Sequence, residues 1–208
     1  MSTLQLKRRK QELRDSMRDA LKELDPEDRR RGGREVAEHL RVRLDALRRI
    51  SPGAVVALFA SLPDEIDTTP LDALLRELEL ERALPAYRTG ELVFHRLDRE
   101  VLMPDLPKDR LGIPTPPEGA PVVEAASCGL LVAPGLAFDD RGFRLGQGGG
   151  YYDRALSAMR DTGGGPEVVG ICLDLQRVPE VPRGPGDQRV DAVCTPAEGL
   201  WTAPSASA

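Results

Sequence analysis

Apolar positions in the first quarter of the chain recur every three or four residues, the period of an amphipathic helix. In residues 4–24 one helix face carries Leu6, Leu13, Met17, Ala20 and Leu24. Asp25 and Pro26 then supply the N-cap and first-turn proline of a second helix, which we expect to reach about residue 49. The buried face of this second helix carries Val36, Leu40, Leu44 and Leu47. Gly32 and Gly33 are expected to weaken its first turns.

Short apolar runs alternate with helical patterns along the rest of the chain. The runs predict strands over residues 54–60, 82–86, 91–97, 129–133, 167–173 and 189–194. Helical patterns cover residues 69–80 and 150–160. This alternation predicts an α/β fold, a three-layer, mostly parallel twisted sheet with helices on both faces, of the open doubly wound type. Ligands of such sheets bind beyond the carboxyl ends of the strands, where the loops after Ala60 and Ala133 would converge.

The domain organisation is expected to be simple. A chain of 208 residues can bury one sizeable core, so we predict a single domain over residues 1–200. Residues 201–208 are predicted to be a disordered tail, because they are rich in Pro, Ser and Ala. Six prolines between residues 103 and 121 indicate a loop that is functional or moves over a ligand.

Charge is distributed unevenly along the chain. The hydrophobic fraction of 40% and the charged fraction of 30% describe an ordinary soluble protein with a net charge of −5. Residues 1–50 carry 15 Lys and Arg against 10 Asp and Glu, a balance of +5, whereas the remaining residues carry 14 against 24, a balance of −10. An acidic body argues against nucleic acid as the main partner, while a basic first helix could form one wall of a phosphate site.

The cysteines and the apolar runs bear on localisation. Cys128, Cys172 and Cys194 are odd in number and far apart, which favours buried thiols in a reducing compartment over disulfides or a zinc site. No run approaches the roughly 18 apolar residues of a membrane helix, and the first residues lack the apolar core of a signal peptide. We therefore expect a cytoplasmic protein that does not bind membranes.

Residues 144–153 read Arg-Leu-Gly-Gln-Gly-Gly-Gly-Tyr-Tyr-Asp, a glycine-rich loop that opens the helix over 150–160. Such a loop presents backbone N–H groups and the positive end of a helix dipole, which suits a phosphate group. It is not a Walker A sequence, because no Gly-Lys-Ser/Thr closes it, and Tyr151 replaces the third glycine of a dinucleotide fingerprint. The alternative, a merely flexible hairpin, is disfavoured by the tyrosine pair and the helix that follow.

This loop and the turn before it resemble the signature of the 5-formyltetrahydrofolate cyclo-ligase family, also called methenyltetrahydrofolate synthetases. The Pro-Gly-x-Ala-Phe-Asp turn of that signature appears at residues 134–139, and its Arg-Leu-Gly-x-Gly-x-Gly-Tyr-Tyr-Asp string at residues 144–153. Shorter matches follow in the family's order: Lys-x-x-Leu-Arg at 10–14, Asp-Glu-Ile-x-Thr at 64–68 and Val-Asp at 190–191. The resemblance covers roughly residues 7–195.

The resemblance implies an enzyme that uses ATP and Mg²⁺ to convert 5-formyltetrahydrofolate into 5,10-methenyltetrahydrofolate, acting as a monomer or weak dimer on reduced folate and ATP. ATP phosphorylates the formyl oxygen, N10 attacks the activated carbon, the ring closes, and phosphate and ADP are released. Such a protein needs cations and N–H donors around the phosphoryl group, a metal ion and aligned substrates. In agreement, the chain has no Ser-His-Asp or Cys-His arrangement, and we expect its two histidines at the surface.

The resemblance also implies an ATP site. Its predicted residues are Lys10, Arg14, Arg144, Gly146, Gln147, Gly148, Gly149, Gly150, Tyr151 and Tyr152. Arg144 and Tyr152 are predicted to be catalytic. Lys10 and Arg14 lie four residues apart on one helix face and could reach one polyphosphate, although a solvated basic stripe has the same pattern. Arg144 could equally be a surface arginine. The family often carries a basic residue inside the loop, whereas Gln147 and Gly149 are uncharged.

Folate and metal sites follow from the same resemblance. The predicted substrate-binding residues are Ala60, Glu65, Gly148, Gly150, Tyr151 and Tyr152. Glu65 is chosen because the pterin edge offers paired N–H donors that one carboxylate can accept, and Ala60 only by position. Asp153, in the first turn of a helix, and Asp191, just after a strand, are the predicted Mg²⁺ ligands. The helix dipole alone would also favour an acid at Asp153.

Two other functions stay open on the sequence. The chain could be a non-catalytic folate- or nucleotide-binding homologue, which the uncharged loop favours. Alternatively, the basic first helix could contact RNA, with the glycine loop as a structural turn. The acidic body and the scarcity of aromatic residues, 4% of the chain, count against RNA binding.

Overall fold

The computed structural model of the protein describes residues 2–88, 90–110, 112–161 and 163–203. The helices in this part of the chain are α1 (Thr3–Lys22), α2 (Pro26–Ile50), α3 (Thr69–Glu77) and α4 (Tyr151–Asp161). The strands are β1 (Val55–Ala57), β2 (Glu81–Arg88), β3 (Glu91–Leu97), β4 (Val122–Val123), β5 (Leu130–Ala133), β6 (Ala137–Phe138), β7 (Arg144–Leu145), β8 (Glu167–Ile171), β9 (Ala192–Thr195) and β10 (Gly199–Thr202).

One large sheet organises the molecule. Among the described residues, eight strands pair in the order β10-β9-β8-β5-β1-β2-β3-β4, and β6 and β7 form a separate hairpin. The central strands β9, β8, β5, β1 and β2 run parallel to one another, while β3, β4 and β10 are antiparallel additions at the two edges. The predicted α/β class and mostly parallel sheet are confirmed. The sequence pattern did not predict the antiparallel pairing of β2 with β3, because both strands look alike as short apolar runs.

Alternate residues of the central strands bury against helices on opposite faces of the sheet. Val56 packs in one cluster with α2 and α3, where Leu40 is fully buried. Its neighbours Val55 and Ala57 pack in a second cluster with α4, which contributes Leu156. Each fully buried leucine stabilises the fold by roughly 1.5–3 kcal/mol. The three-layer arrangement therefore follows from side chains that point alternately up and down along each strand.

The two glycines of α2 lie within a continuous helix, and the expected weakening of its first turns stays a prediction. A Cβ atom on Gly33 would lie 2.0 Å from the carbonyl oxygen of Asp67, so only glycine lets the helix approach that loop. The backbone N–H of Asp67 in turn donates to the carbonyl oxygen of Arg29 at 3.4 Å. This close approach holds the loop that follows β1 against α2, and that loop carries Glu65.

The proline-rich stretch folds back on itself. Lys108 and Pro114 form an isolated bridge, and the N–H of Thr115 donates to the carbonyl oxygen of Pro107 at 2.8 Å. Met103 and Leu106 at its start are buried in the core. Leu111 lies outside the described residues. The stretch is thus an internally bonded loop anchored by apolar side chains, and its closure over a ligand stays a prediction.

Two expectations are wrong in detail. The tail predicted over residues 201–208 starts too early, because Trp201 and Thr202 belong to β10 and Ala203 is buried. Residues 204–208 lie outside the described part, and the single-domain assignment stays a prediction. His39 is exposed as expected, but His95 is buried, with its Nδ1 2.7 Å from the carbonyl oxygen of Ala120.

The three cysteines are buried thiols, as the sequence pattern predicts. Cys128, Cys172 and Cys194 are free and buried, and burial raises the pKa of each thiol. Within the residues described, none of the helices combines the length and the apolar character that crossing a membrane requires.

Candidate active site

A cavity of about 380 Å³ opens at the carboxyl ends of β1 and β5. The loops after these two strands both line it, as the rule for open parallel sheets predicts. The chain passes from β1 to β2 on one side and later returns to place β5 on the other, so the two loops diverge and leave a crevice. Of the predicted site residues, those that line it are Lys10, Arg14, Ala60, Glu65, Arg144, Gly146, Gln147, Gly148, Gly149, Gly150, Tyr151, Tyr152 and Asp153.

Helix α1 presents its basic face to this cavity. Lys10 Nζ lies 2.6 Å from both carboxylate oxygens of Asp187, and Arg14 Nε donates to the carbonyl oxygen of Gly146 at 2.9 Å. One turn further on, Arg18 Nη2 donates to Gln147 Oε1 at 2.9 Å. The pKa of Arg14 is lowered, mainly by burial and also by the positive charge of Arg18. The basic stripe of the sequence is therefore directed at the glycine loop.

The glycine loop connects β7 to α4 at the mouth of the cavity. Gly148 and Gly150 have φ angles of 113° and 66°, which side-chain-bearing residues rarely adopt. Residues 147–149 are exposed, and the loop ends where α4 begins at Tyr151. Backbone N–H groups at a helix start combine with the helix dipole to favour an anion. The local geometry thus matches the phosphate loop inferred from the sequence.

Arg144 is a buried residue of β7, not a surface arginine. Its Nη2 donates to Asp153 Oδ1 at 3.0 Å, while its Nε is buried and has no hydrogen-bond partner among the described residues. Burial lowers the pKa of Arg144, and the charge of Asp153 partly offsets that effect. A buried guanidinium with an unused donor beside a cavity is suited to bind an anionic oxygen.

The two tyrosines at the start of α4 differ in environment. Tyr152 is 6% exposed, and its hydroxyl group is buried with no hydrogen-bond partner in the described part of the chain. Burial raises its pKa well above the usual value, so the hydroxyl group stays protonated at neutral pH. Tyr151 instead stacks edge-on against Tyr87, with the ring centroids 4.9 Å apart. The guanidinium of Arg154 lies over the ring of Tyr151, 5.0 Å from its centre.

Glu65 lies in the loop after β1 and is partly open to the cavity. Its Oε2 accepts a hydrogen bond from the backbone N–H of Leu62 at 3.0 Å. Surrounding protein raises the pKa of Glu65 from its ordinary value of 4.5 to about 7, because burial disfavours the ionised form. In the same loop Asp67 Oδ1 accepts from the backbone N–H of Thr69, the first residue of α3. A desolvated carboxyl group is therefore held apart from the basic side of the cavity.

The second predicted metal ligand is corrected by the structure. Asp191 does not line the cavity; its Oδ2 accepts from the backbone N–H of Val168 at 2.8 Å and its Oδ1 lies 3.7 Å from Arg160. It directly precedes β9, and the residue before a parallel strand lies at the amino edge of the sheet, opposite the cavity. Asp187, which sequence reasoning missed, lines the cavity instead.

Asp187 and Asp153 are linked through the backbone. Asp153 Oδ1 accepts from the N–H of Gln188 at 3.1 Å, next to Asp187. Within the described residues, no three His, Cys, Asp or Glu side chains converge as a metal-binding group. Asp153 and Asp187 are thus two cavity carboxylates joined by this contact, which suits an ion that takes its other ligands from a phosphate and water.

Sequence reasoning also missed cavity residues that carry no motif. Tyr87, Asp109 and Ile113 line the cavity, the first from β2 and the others from the proline-rich loop. Neither helical nor strand periodicity marks them. The position of Tyr87 near the carboxyl end of a parallel strand is the signal that could have identified it.

Comparison with known proteins finds a family whose sequence model matches most of this chain. A sequence model of the 5-formyltetrahydrofolate cyclo-ligase family matches residues 6–196. The 5-formyltetrahydrofolate cyclo-ligase of Escherichia coli strain K12 is 34% identical over 152 residues, 70% of this chain and 79% of that protein. A probable 5-formyltetrahydrofolate cyclo-ligase of Schizosaccharomyces pombe is 38% identical over 81 residues, which span 35% of this chain and 40% of that protein.

A solved structure shares the fold across nearly the whole chain. The 5,10-methenyltetrahydrofolate synthetase of Aquifex aeolicus, determined by NMR, superposes with a TM-score of 0.73 at 28% sequence identity. The superposition covers 96% of this chain and 95% of the other.

Proposed function

The chain belongs to the 5-formyltetrahydrofolate cyclo-ligase family, and from that premise we propose that it uses ATP and Mg²⁺ to convert 5-formyltetrahydrofolate into 5,10-methenyltetrahydrofolate, ADP and phosphate. Membership makes the protein a ligase of folate one-carbon metabolism. One observation carries the finer proposal. A single cavity is lined by the glycine loop, a basic helix face and the partly buried carboxyl group of Glu65. Two further lining residues, Arg144 and Tyr152, each have a buried polar side-chain atom with no hydrogen-bond partner among the described residues.

The phosphates of ATP are proposed to lie against α1 and the glycine loop. The proposed contacts are Lys10, Arg14, Arg144, residues 146–150, Tyr151 and Tyr152. Lys10 now pairs with Asp187, and Arg14 donates to a carbonyl oxygen, so both cations have weak or exchangeable partners. Hydrogen bonds between ionised groups and phosphate are about twice as strong as neutral ones, so a bound polyphosphate would recruit both side chains.

The folate is proposed to bind on the side of Glu65. Its proposed contacts are Ala60, Glu65, Gly148, Gly150, Tyr151 and Tyr152. The ionised carboxylate of Glu65 would accept two N–H bonds from the pterin edge, and these bonds would stabilise its charged form. Phe59 and Pro85 supply apolar lining for the ring. A desolvated carboxylate is suited to this role because its hydrogen bonds do not compete with bulk water.

Arg144 and Tyr152 are proposed to act on the reacting atoms. The formyl oxygen of an amide is a poor leaving group, and transfer of a phosphoryl group to it creates a good one. Arg144, with its unused Nε, would stabilise the charge on the migrating phosphoryl group. Because the raised pKa of Tyr152 keeps its hydroxyl group protonated, it would donate a hydrogen bond to an oxygen and not act as a base. No covalent intermediate with the protein is required.

The residues present fit a magnesium ion. Mg²⁺ prefers one or two carboxylates together with phosphate oxygens and water, and Asp153 and Asp187 are carboxylates in the cavity wall. We therefore assign the metal to Asp153 and Asp187, in place of Asp153 and Asp191. When bound, the ion would neutralise charge on the phosphate oxygens. Lys10 would then leave Asp187 for the phosphates.

The test is an absorbance assay on the purified chain. Protein is mixed with 5-formyltetrahydrofolate and magnesium ATP, and the near-ultraviolet band of the methenyl product is followed together with ADP. We expect the band to grow with equal release of ADP and to stop when Mg²⁺ is chelated. A flat trace from protein that still binds both ligands would instead identify a non-catalytic binding protein.

The remaining proposals concern partners and location. The chain is proposed to act in the cytoplasm on small molecules alone, as a monomer or weak dimer. Three free cysteines favour a reducing compartment, and the net charge of −5 disfavours nucleic acid. Light scattering of the purified protein tests its oligomeric state, and cell fractionation tests its location. A tight, salt-dependent complex with RNA would contradict the assignment of partners.

A further inference from the structure

The glycine loop has no cation of its own. Residues 145–153 contain no lysine or arginine. Arg154, the next basic residue, is engaged elsewhere: its guanidinium donates to the carbonyl oxygens of Gly149 and Gly90 at 3.0 and 2.8 Å and covers the ring of Tyr151. Backbone N–H groups can orient a phosphate, but they carry only partial charge. Positive charge over the exposed part of this loop must therefore come from another element.

Helix α1 brings a third cation to the loop. Lys10, Arg14 and Arg18 are spaced four residues apart, so they form one stripe along the helix. The first two line the cavity, and Arg18 extends the stripe to its rim, where Nη2 contacts Gln147 Oε1 at 2.9 Å. The side chain of Arg18 is 34% exposed, so part of its guanidinium remains open to solvent and to ligands.

The present contacts of Arg18 compensate its charge only in part. Gln147 is neutral, and the ion pair with Asp15, at 3.6 Å, uses a carboxylate that is 58% exposed and also accepts from Gln11 Nε2. The charge of Arg18 is also felt by Arg14, whose pKa it helps to lower. Like charges held together beside the glycine loop favour an anion between them.

We propose that Arg18 is a third phosphate-binding residue of α1, whose guanidinium binds a phosphate oxygen of the nucleoside triphosphate beside Gln147 and so provides the cation that the loop lacks. The proposal rests on the proposed function, in which ATP occupies this side of the cavity. Exchange of a neutral amide for an anionic oxygen is favourable, because hydrogen bonds between two ionised groups are the stronger ones.

Calorimetric titration of the full chain with magnesium ATP tests the proposal. Arg18→Ala and Arg18→Gln should each raise the Kd about tenfold, and Arg18→Lys about threefold, because lysine keeps the charge without the planar fork. Arg8→Ala is the matched control, since Arg8 lies on α1 with an 80% exposed side chain paired to Glu12. The control should change the Kd less than about twofold. The Kd for 5-formyltetrahydrofolate should be unchanged in every variant.

Gln147→Ala separates direct binding from positioning. If Arg18 binds the phosphate directly, Gln147→Ala costs less than about threefold, and adding Arg18→Ala still gives its full effect. If Arg18 only positions Gln147, both single variants and the double variant have the same Kd, which would overturn the proposal. An Arg18→Ala value equal to that of Arg8→Ala would overturn it as well. Failure of the unaltered chain to bind magnesium ATP would instead overturn the proposed function itself and this inference with it.

Discussion

The cavity has two walls that recognise ligands by different physics. The cationic wall consists of Lys10, Arg14 and residues 146–150; it is more exposed than the opposite wall and presents several charged or N–H donors. The apolar wall consists of Phe59, Glu65, Pro85 and Tyr152; most of it is buried and it holds one carboxyl group. Exposed charges act together and are screened by salt, whereas a buried carboxyl group makes a few specific hydrogen bonds. The cationic wall should therefore tolerate single changes better than the apolar wall.

The largest effect is expected at Asp153 and Asp187, two cavity carboxylates outside both walls. Asp153→Asn and Asp187→Asn should each lower kcat about 10³-fold at saturating substrates without unfolding the protein, because each removes a proposed ligand of the ion that neutralises the phosphates. Asp191→Asn is the control, since that carboxylate lies outside the cavity. Rates are measured across Mg²⁺ concentrations. Wild-type turnover of Asp153→Asn at limiting Mg²⁺ would remove it from the metal site.

Replacing the carboxyl group of the apolar wall should weaken the binding of one ligand and not of the other. Glu65→Gln is expected to raise the Kd for 5-formyltetrahydrofolate about 10²-fold, because a charged acceptor of two N–H bonds becomes a neutral amide. The Kd for magnesium ATP should change less than about threefold. Asp64→Asn removes a neighbouring charge that does not line the cavity and serves as the control. Equal losses for both ligands would make Glu65 structural.

The pH dependence of folate binding tests the role of Glu65 in the apolar wall. The ligand-free pKa of Glu65 is about 7, and N–H donors of a bound pterin would favour the ionised form and lower that pKa. Binding then releases a proton, so affinity rises with pH up to about 7 and levels off above it. Between pH 8 and pH 6 the Kd for folate should rise about tenfold, measured by calorimetry in several buffers. In Glu65→Gln the profile should be flat; an unchanged slope would assign the titration to another group.

The smallest of these effects is expected from salt, which should weaken binding at the cationic wall. Raising KCl from about 50 to about 500 mM should raise the Kd for magnesium ATP about fivefold, because exposed charges are screened. The Kd for 5-formyltetrahydrofolate should change less than about twofold. The same salt slope for both ligands would show that the two walls do not differ in the way their burial implies.

Much of the site could be predicted because its signals are local. The glycine loop, the tyrosine pair and Asp153 are consecutive in the chain, and a loop that opens a helix has nearly the same geometry in any context. The spacing of Lys10 and Arg14 likewise places them on one helix face. Convergence of the loops after β1 and β5 followed from the rule for parallel sheets, which needs only the order of the elements.

The prediction that Asp191 binds the metal was wrong because neighbouring residues do not determine where a strand begins. Its apolar neighbours predicted a strand from residue 189, whereas β9 begins at Ala192. The boundary is set by pairing with β8, where the N–H of Asp191 donates to the carbonyl oxygen of Val168 at 2.8 Å. That pairing directs Asp191 to the amino edge of the sheet. The loop before it, which carries Asp187, reaches the cavity instead.

Contiguous residues thus specified the class of the fold, the phosphate loop, the basic helix face and the resemblance to one enzyme family. Tertiary packing decided that Asp187 and not Asp191 lines the cavity with Asp153, that Arg144 is buried with one donor unpaired among the described residues, and that Arg18 reaches Gln147. Lys10 and Asp187 are separated by 177 residues, and Arg18 and Gln147 by 129. Local signals depend on backbone geometry and period, which nearby residues determine. Partners so distant in the chain meet only because the sheet and its helices pack as one body.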